Sequence, residues 1–250
     1  MPIAADVHRI SLLGIPVASQ ARCWTALYGF GKELTWRLES VNVDPPWTHF
    51  DVTRRGEPFG VFKVSLMGRH NLLNALAVIA VADDLGIPAD LIARALETFE
   101  GIKRRQEIRG VKDGVMVMDD FAHHPTEVRE TLAATRSFYP NRRIVAVFEP
   151  RTNSSRRRVF QQEYVKVFDG ASQVVIKEPD ALLQISEEER FSAKLLASDL
   201  VKRGVDGHYF PNTEQILEYL VGSIRPGDVV AILSNGGFDN IHTRLLSLIE

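Results

Sequence analysis

After Glu107 the sequence alternates short apolar runs with longer amphipathic ones, and this rhythm limits the possible folds more than any other feature. Short runs rich in Val, Ile and other apolar residues predict strands at 115–118, 143–148, 173–176, 208–210 and 229–233. The spacing between them predicts helices over 125–138, 155–169, 191–203, 213–221 and 238–249. Strands separated by helices pair in parallel, because the connection must carry the chain back along the sheet. The expected class is therefore α/β, a mostly parallel sheet with helices on both faces. Such sheets place their sites where strands end and helices begin.

Upstream, the pattern differs. Residues 1–67 are irregular and β-rich, with candidate strands at 24–27, 34–38, 48–53 and 58–65 broken by Gly29-Phe30-Gly31 and Arg55-Gly56. Such runs predict hairpins at the edge of a larger sheet, with a face left uncovered. Asp44-Pro45-Pro46 reads as a loop, since consecutive prolines remove ladder donors. From Gly68 an apolar face at helical spacing (Leu72, Leu76, Ile79) runs to about Asp84, and Gly86 and Pro88 separate it from a second helix at 89–99. The domain boundary is expected near Gly101–Glu107, leaving segments 1–105 and 106–250.

A formal charge of −2 gives no electrostatic case for nucleic-acid or membrane partners. A single cysteine, Cys23, excludes an internal disulfide and a cysteine-based metal cluster, and fits a reduced cytoplasmic setting. No apolar run is long enough to span a bilayer, and Asp6, His8 and Arg9 interrupt any signal-like start.

Four clusters carry possible chemistry, each with a plainer alternative. In Gly68-Arg69-His70-Asn71-Leu72-Leu73-Asn74-Ala75, Asn71 and Asn74 share one helix face and could address a purine edge; Asn71 could equally be a helix cap. The basic run Lys103-Arg104-Arg105 after Gly101 could hold phosphates or stack on a base, or be a solvated surface. Asp119-Asp120-Phe121-Ala122-His123-His124-Pro125-Thr126-Glu127 joins a strand to a helix and could bind a ribose, a metal or a reacting amine; a capped surface turn is the alternative. Adjacent histidines cannot both face one metal, so no metal ligands are assigned. Finally, Ser234-Asn235-Gly236-Gly237 lets backbone N–H groups approach an anion at a helix start. Gly31-Lys32 is followed by Glu33, and no G-x-x-x-x-G-K-[ST] phosphate loop occurs in these residues.

In this order and spacing the clusters resemble the Mur ligases, over about residues 66–250, with Phe121 where the family usually has tyrosine. The resemblance implies a Rossmann-like C-terminal domain preceded by the incomplete tail of a central ATPase domain, with the UDP-binding domain and the phosphate loop outside the chain. It implies an ATP- and Mg2+-dependent enzyme joining an amino-acid or peptide acceptor to UDP-N-acetylmuramate in the cytoplasm. Asn71, Asn74, Arg105, Asp120 and Phe121 would then lie along the nucleotide, with Asp120 at the ribose. His123 and His124 would be catalytic, toward the incoming amine. Arg151, Asn153, Ser234, Asn235 and Gly236 would hold the acceptor, with Arg151 suited to a carboxylate. Within the family, residues 148–154 and 233–238 resemble the members that attach the tripeptide L-alanyl-γ-D-glutamyl-meso-diaminopimelate during murein recycling. The alternatives are the L-alanine-adding members or a non-catalytic peptide- or nucleotide-binding module. Without a phosphate loop, the 250 residues alone are expected to turn over no substrate.

Overall fold

The computed structural model describes residues 3–6, 20, 22, 25–179 and 186–249; Cys23 and Trp24, the start of the 24–27 candidate strand, lie outside them. The chain divides into two compact units, Met1–Gly101 and Ile102–Glu250.

In the first unit, β1 (Ile3–Asp6), β2 (Thr25–Gly29), β3 (Trp36–Asp44), β4 (Trp47–Arg54) and β5 (Glu57–Val64) form one sheet in sequence order. β3–β4 and β4–β5 are antiparallel hairpins, whereas β1–β2 and β2–β3 run parallel, which corrects the all-hairpin expectation. The parallel β2–β3 pair is staggered: only Tyr28↔Trp36 and Gly29↔Arg37 match, so the 30–35 link need not retrace a strand. β3 runs past its expected end to the Pro45-Pro46 turn, where Asp44 pairs with Trp47.

Helices α1 (Arg69–Asp84) and α2 (Ala89–Glu97) cover one face of this sheet. Trp36, Leu38, Phe50, Val52, Phe62 and Val64 from the strands meet Leu72, Leu76, Ile79 and Ile92 in a shared core. On the opposite face, Val61 is 70% exposed. Gly86, at φ 78°, turns the chain out of α1, and Pro88 caps α2.

The second unit follows the alternation read in the sequence. Its elements are β6 (Glu107–Lys112), β7 (Val115–Asp120), α3 (Pro125–Phe138), β8 (Ile144–Phe148), α4 (Gln161–Val167), β9 (Gln173–Lys177), α5 (Ala193–Lys202), β10 (Asp206–Phe210), α6 (Thr213–Ser223), β11 (Val229–Leu233) and α7 (Ile241–Leu248). The strand order is β10-β9-β8-β11-β7-β6, parallel throughout except for β6. β11 is thus inserted between β7 and β8, a reversal of winding of the kind at whose carboxyl ends open α/β sheets place their ligands. Val115, Val117, Val145, Val147, Val230 and Ile232 face Ile216, Leu220, Ile241 and Leu245 of α6 and α7. Every residue of β8 and β11 is 0% exposed, consistent with helices on both faces. Each fully buried aliphatic side chain contributes about 1.5–3 kcal/mol of transfer free energy.

Three details depart from expectation. β6 has no counterpart among the expected strands; it is an edge strand whose Ile108 and Val111 are exposed, so its pattern lacks a clear apolar face. The 155–169 helix is shorter: residues 153–156 form a turn, Arg157 is extended and bridges to Arg190, and after a tight turn at Arg158–Phe160 α4 begins at Gln161. The 238–249 helix starts only at Ile241, after Phe238, Asp239 and Asn240 at φ 43°, 49° and 56°.

β10 packs against α5 at Gly207, where an added Cβ would lie 2.7 Å from the Ala197 carbonyl oxygen and 3.0 Å from Leu200 Cβ. Backbone cannot swing aside as a flexible side chain can. Gly207→Ala is expected to lower unfolding stability by about 1–3 kcal/mol in denaturant titration; an unchanged midpoint would contradict this packing.

Candidate functional site

The polar residues of the second unit gather at the carboxyl ends of β7, β8, β9 and β11. Asp119 and Asp120 end β7, Glu149 follows β8, Lys177 ends β9 and Ser234 follows β11. All five are buried.

Asp120 faces inward. Its Oδ2 accepts the Gln106 amide at 2.9 Å, while Oδ1 accepts the Ala122 amide at 2.7 Å and the Thr131 hydroxyl at 3.3 Å. Burial raises its carboxyl above the ordinary range, opposed by these hydrogen bonds and by Arg105. The expected ribose contact therefore meets a carboxylate already used to hold two chain segments together.

Phe121 lies just beyond, half-buried, with the Arg104 and Arg105 guanidinium carbons 5.2 and 5.3 Å from its ring centre. Arg104 also reaches across the sheet end: Nη2 donates to the carbonyls of Ser234 and Gly236, each at 2.6 Å, and Nε lies 3.5 Å from Asp119 Oδ2. On its other side, Asp119 Oδ1 is 3.2 Å from Nε2 of buried His242.

His124 is the N-cap of α3, its Nδ1 accepting the Thr126 amide at 3.4 Å, with Pro125 in the first turn. The Glu127 carboxylate returns to the amides of His123 and His124, completing a capping box. The turn is thus capped as the plainer reading foresaw, yet it leaves ring nitrogens available. His123 Nδ1 sits 3.0 Å from the Phe121 carbonyl and 3.3 Å from Glu127 Oε2. A proton on Nδ1 satisfies both acceptors, and the neutral ring then carries its lone pair on Nε2.

Glu149, 3% exposed, accepts the Ser234 hydroxyl at 2.5 Å and pairs with Lys177 Nζ at 3.0 Å. Lys177 extends to Asp239 Oδ2 at 3.5 Å, and Thr213 donates to the same oxygen. The Thr213 hydrogen bond foremost, with help from Lys177, holds the Asp239 carboxyl below its ordinary range. Ser234 is 0% exposed and its oxygen also accepts the Gly236 amide at 2.9 Å. The Ser234 hydroxyl thus points inward, between Glu149 and the Gly236 amide.

Arg151 lies over Gly236, where an added Cβ would come within 2.2 Å of Arg151 Cδ, and its Nη1 is 4.0 Å from Glu149 Oε1. Asn235 Oδ1 is buried with no hydrogen-bond donor among the described residues, and Asn153 is exposed. Asn71 and Asn74 belong to the first unit. Gly68, not Asn71, occupies the N-cap of α1; Asn71 Nδ2 donates to Met67 O at 2.9 Å and its Oδ1 accepts from Asn74 Nδ2 at 3.5 Å. The capping alternative is thereby excluded.

The sequence reading singled out neither Glu149, Lys177, Asp239 nor His242 for a site role, and it passed over Arg104 for Arg105. A charged residue closing an otherwise apolar strand, as Lys177 does, was the available signal. No group of three or more His, Cys, Asp or Glu side chains suited to a metal occurs among the described residues. Nor, among them, is any helix long and apolar enough to cross a membrane.

The arrangement has known counterparts. The family described as Mur ligase, glutamate ligase domain, matches residues 104–236. A UDP-N-acetylmuramate–L-alanine ligase of Desulfitobacterium hafniense is 35% identical over 219 residues, covering 88% of this chain and 49% of that protein. Among solved structures, a UDP-N-acetylmuramate–alanine ligase from Thermotoga maritima superposes with TM-score 0.75 at 25% identity, covering 89% of this chain and 47% of that one. A murein peptide ligase from Psychrobacter arcticus gives TM-score 0.65 at 28% identity, covering 99% and 51%. The chain spans about half the length of the curated relatives it matches.

The Glu149–Lys177 pair is buried, so removing one partner strands the other. Lys177→Met is expected to destabilise the fold by about 3–5 kcal/mol, and adding Glu149→Gln to recover part of that loss in a double-mutant cycle. Strict additivity in denaturant titrations would argue against the pairing.

Proposed function

The chain belongs to the Mur ligase family, and from that membership we propose that it supplies the acceptor-handling part of an ATP-dependent ligase joining L-alanyl-γ-D-glutamyl-meso-diaminopimelate to UDP-N-acetylmuramate. The observation carrying the choice of acceptor is the segment after β8. Arg151 lies there across Gly236, followed by Arg156, Arg157 and Arg158. A tripeptide acceptor bears several carboxylates and L-alanine one, so a cation-rich segment following the end of β8 suits the larger anion.

In this reading residues 1–105 are the end of the central domain and residues 106–250 the C-terminal domain. In the first unit Asn71 and Asn74 carry amide edges of the kind that suits a purine. In the second unit Phe121 with Arg105 offers an aromatic and cationic face to the nucleotide. Asp120 shapes that face from within. ATP supplies the phosphoryl group that activates the donor carboxyl. The described residues bring no metal-ligand set together, so no step is assigned to magnesium here.

The acceptor amine arrives protonated and must lose a proton before it attacks. In this reading His123 Nε2 takes that proton, a role supported by the Phe121 carbonyl beside Nδ1; His124 shares the turn but uses Nδ1 as a cap. Arg151 and Asn153 meet acceptor carboxylates, while Ser234, Asn235 and Gly236 form the turn beneath them. The L-alanine acceptor is the second reading, favoured by the 35% identity to the Desulfitobacterium hafniense enzyme.

The deciding experiment is ATP-dependent ligation by the full-length enzyme, phosphate loop included, with UDP-N-acetylmuramate and either acceptor. Tripeptide preference is expected; L-alanine preference would move the protein to the other branch of the family. Loss of one charge-assisted contact is worth about 1.5–3 kcal/mol, so Arg151→Ala should raise tripeptide KM by roughly tenfold to a hundredfold with less effect on kcat. An unchanged KM would remove Arg151 from the acceptor site.

A further inference from the structure

We propose that Arg104 is a positioning residue that couples the aromatic face at Phe121 to the 234–236 turn, so that a ligand on one strengthens binding at the other. The inference rests on reading this site as the meeting place of a nucleotide and an amine acceptor.

One planar guanidinium serves both places. Nη2 donates to the Ser234 and Gly236 carbonyls at 2.6 Å each, while the guanidinium carbon stands 5.2 Å from the Phe121 ring centre. Those carbonyls converge on a single nitrogen, whose two N–H groups serve one carbonyl each and whose positive charge strengthens both bonds. Nε lies 3.5 Å from the buried Asp119 carboxylate, whose charge attracts the guanidinium from its other edge. The backbone is pinned too. The Arg104 carbonyl accepts the Phe121 amide at 2.8 Å, and its own amide donates to Glu107 Oε2 at 2.8 Å with φ at 59°.

Arg105 makes the contrast. Its guanidinium also covers Phe121, but it is exposed and no contact from it to the 234–236 turn is seen. A ligand stacked on Phe121 fixes the ring, the ring fixes the Arg104 plane, and that plane fixes two carbonyls of the turn. Thermodynamic reciprocity makes the effect mutual. Lysine cannot replace this geometry, because an ammonium is a point charge without a planar face to stack.

The test is calorimetric titration of the protein with ADP and with the free tripeptide, each alone and with the other saturating. In the unsubstituted protein each probe should tighten the other by about fivefold or more. In Arg104→Gln the factor should fall to about one, and Arg104→Lys should not restore it. Amide hydrogen exchange should quicken at 234–237 in both variants while β7 and β8 stay protected, which also reports that the variants are folded. Retained coupling in Arg104→Gln, or unchanged exchange at 234–237, overturns the proposal. If both probes bind the unsubstituted protein without mutual effect, the functional reading stands and the coupling is overturned. If either probe fails to bind, the coupling is overturned, while the functional reading, whose phosphate loop lies outside these residues, is judged by the ligation assay.

Discussion

The central strands of the second unit are buried on both faces, so a charge placed along β8 or β11 would meet apolar layers on either side. Polar chemistry is confined to their ends. Inserting β11 between β7 and β8 brings three carboxyl ends together, and residues as distant in sequence as Asp120, Glu149 and Ser234 become neighbours. The Ser234 amide donates to Asp120 O and the Glu149 amide to Leu233 O, so the strand ladder itself carries the register into the site. The loops need only finish what the ladder begins.

The buried ionic contacts serve geometry more than stability. Desolvating Glu149 and Lys177 costs most of what their attraction returns, and an apolar pair of equal volume would fold about as well. What the pair adds is direction. Glu149 holds the Ser234 hydroxyl on one oxygen and Lys177 on the other, and Lys177 reaches Asp239. A chain of alternating charges thereby fixes a turn that contains adjacent glycines and would otherwise be free to choose among many shapes.

The α/β class and the alternation after Glu107 were legible because buried parallel strands are unbroken apolar runs flanked by amphipathic helices. β6 was hidden because an edge strand needs no apolar face, and its exposed Ile108 and Val111 break the pattern. The late start of α4 follows from the bridge of Arg157 to Arg190, a partner distant in sequence that no local pattern announces. At the site, the local signals around Asp120, His123 and Ser234 were readable, since each sits at a strand-to-helix turn. Their orientation was not. Nothing in the local sequence states that Asp120 and Ser234 turn inward, or that Arg104 rather than Arg105 crosses to the other turn. Those facts depend on β7 and β11 lying side by side, which is long-range information.

Phe238, Asp239 and Asn240 hold three successive left-handed conformations without a glycine among them. Such backbone carries strain of order 1–3 kcal/mol per residue, least for Asn and Asp, unless the surroundings enforce it. The enforcement is visible: the Phe238 ring is fully buried and Asp239 is tied to Thr213 and Lys177. Backbone relief and side-chain anchoring therefore pull this bend in opposite directions. Glycine at 239 would relax the backbone, yet it would delete the carboxylate that Thr213 and Lys177 hold, and Lys177 would keep only Glu149 from this chain of charges. The bend is a spring kept wound by its own side chains.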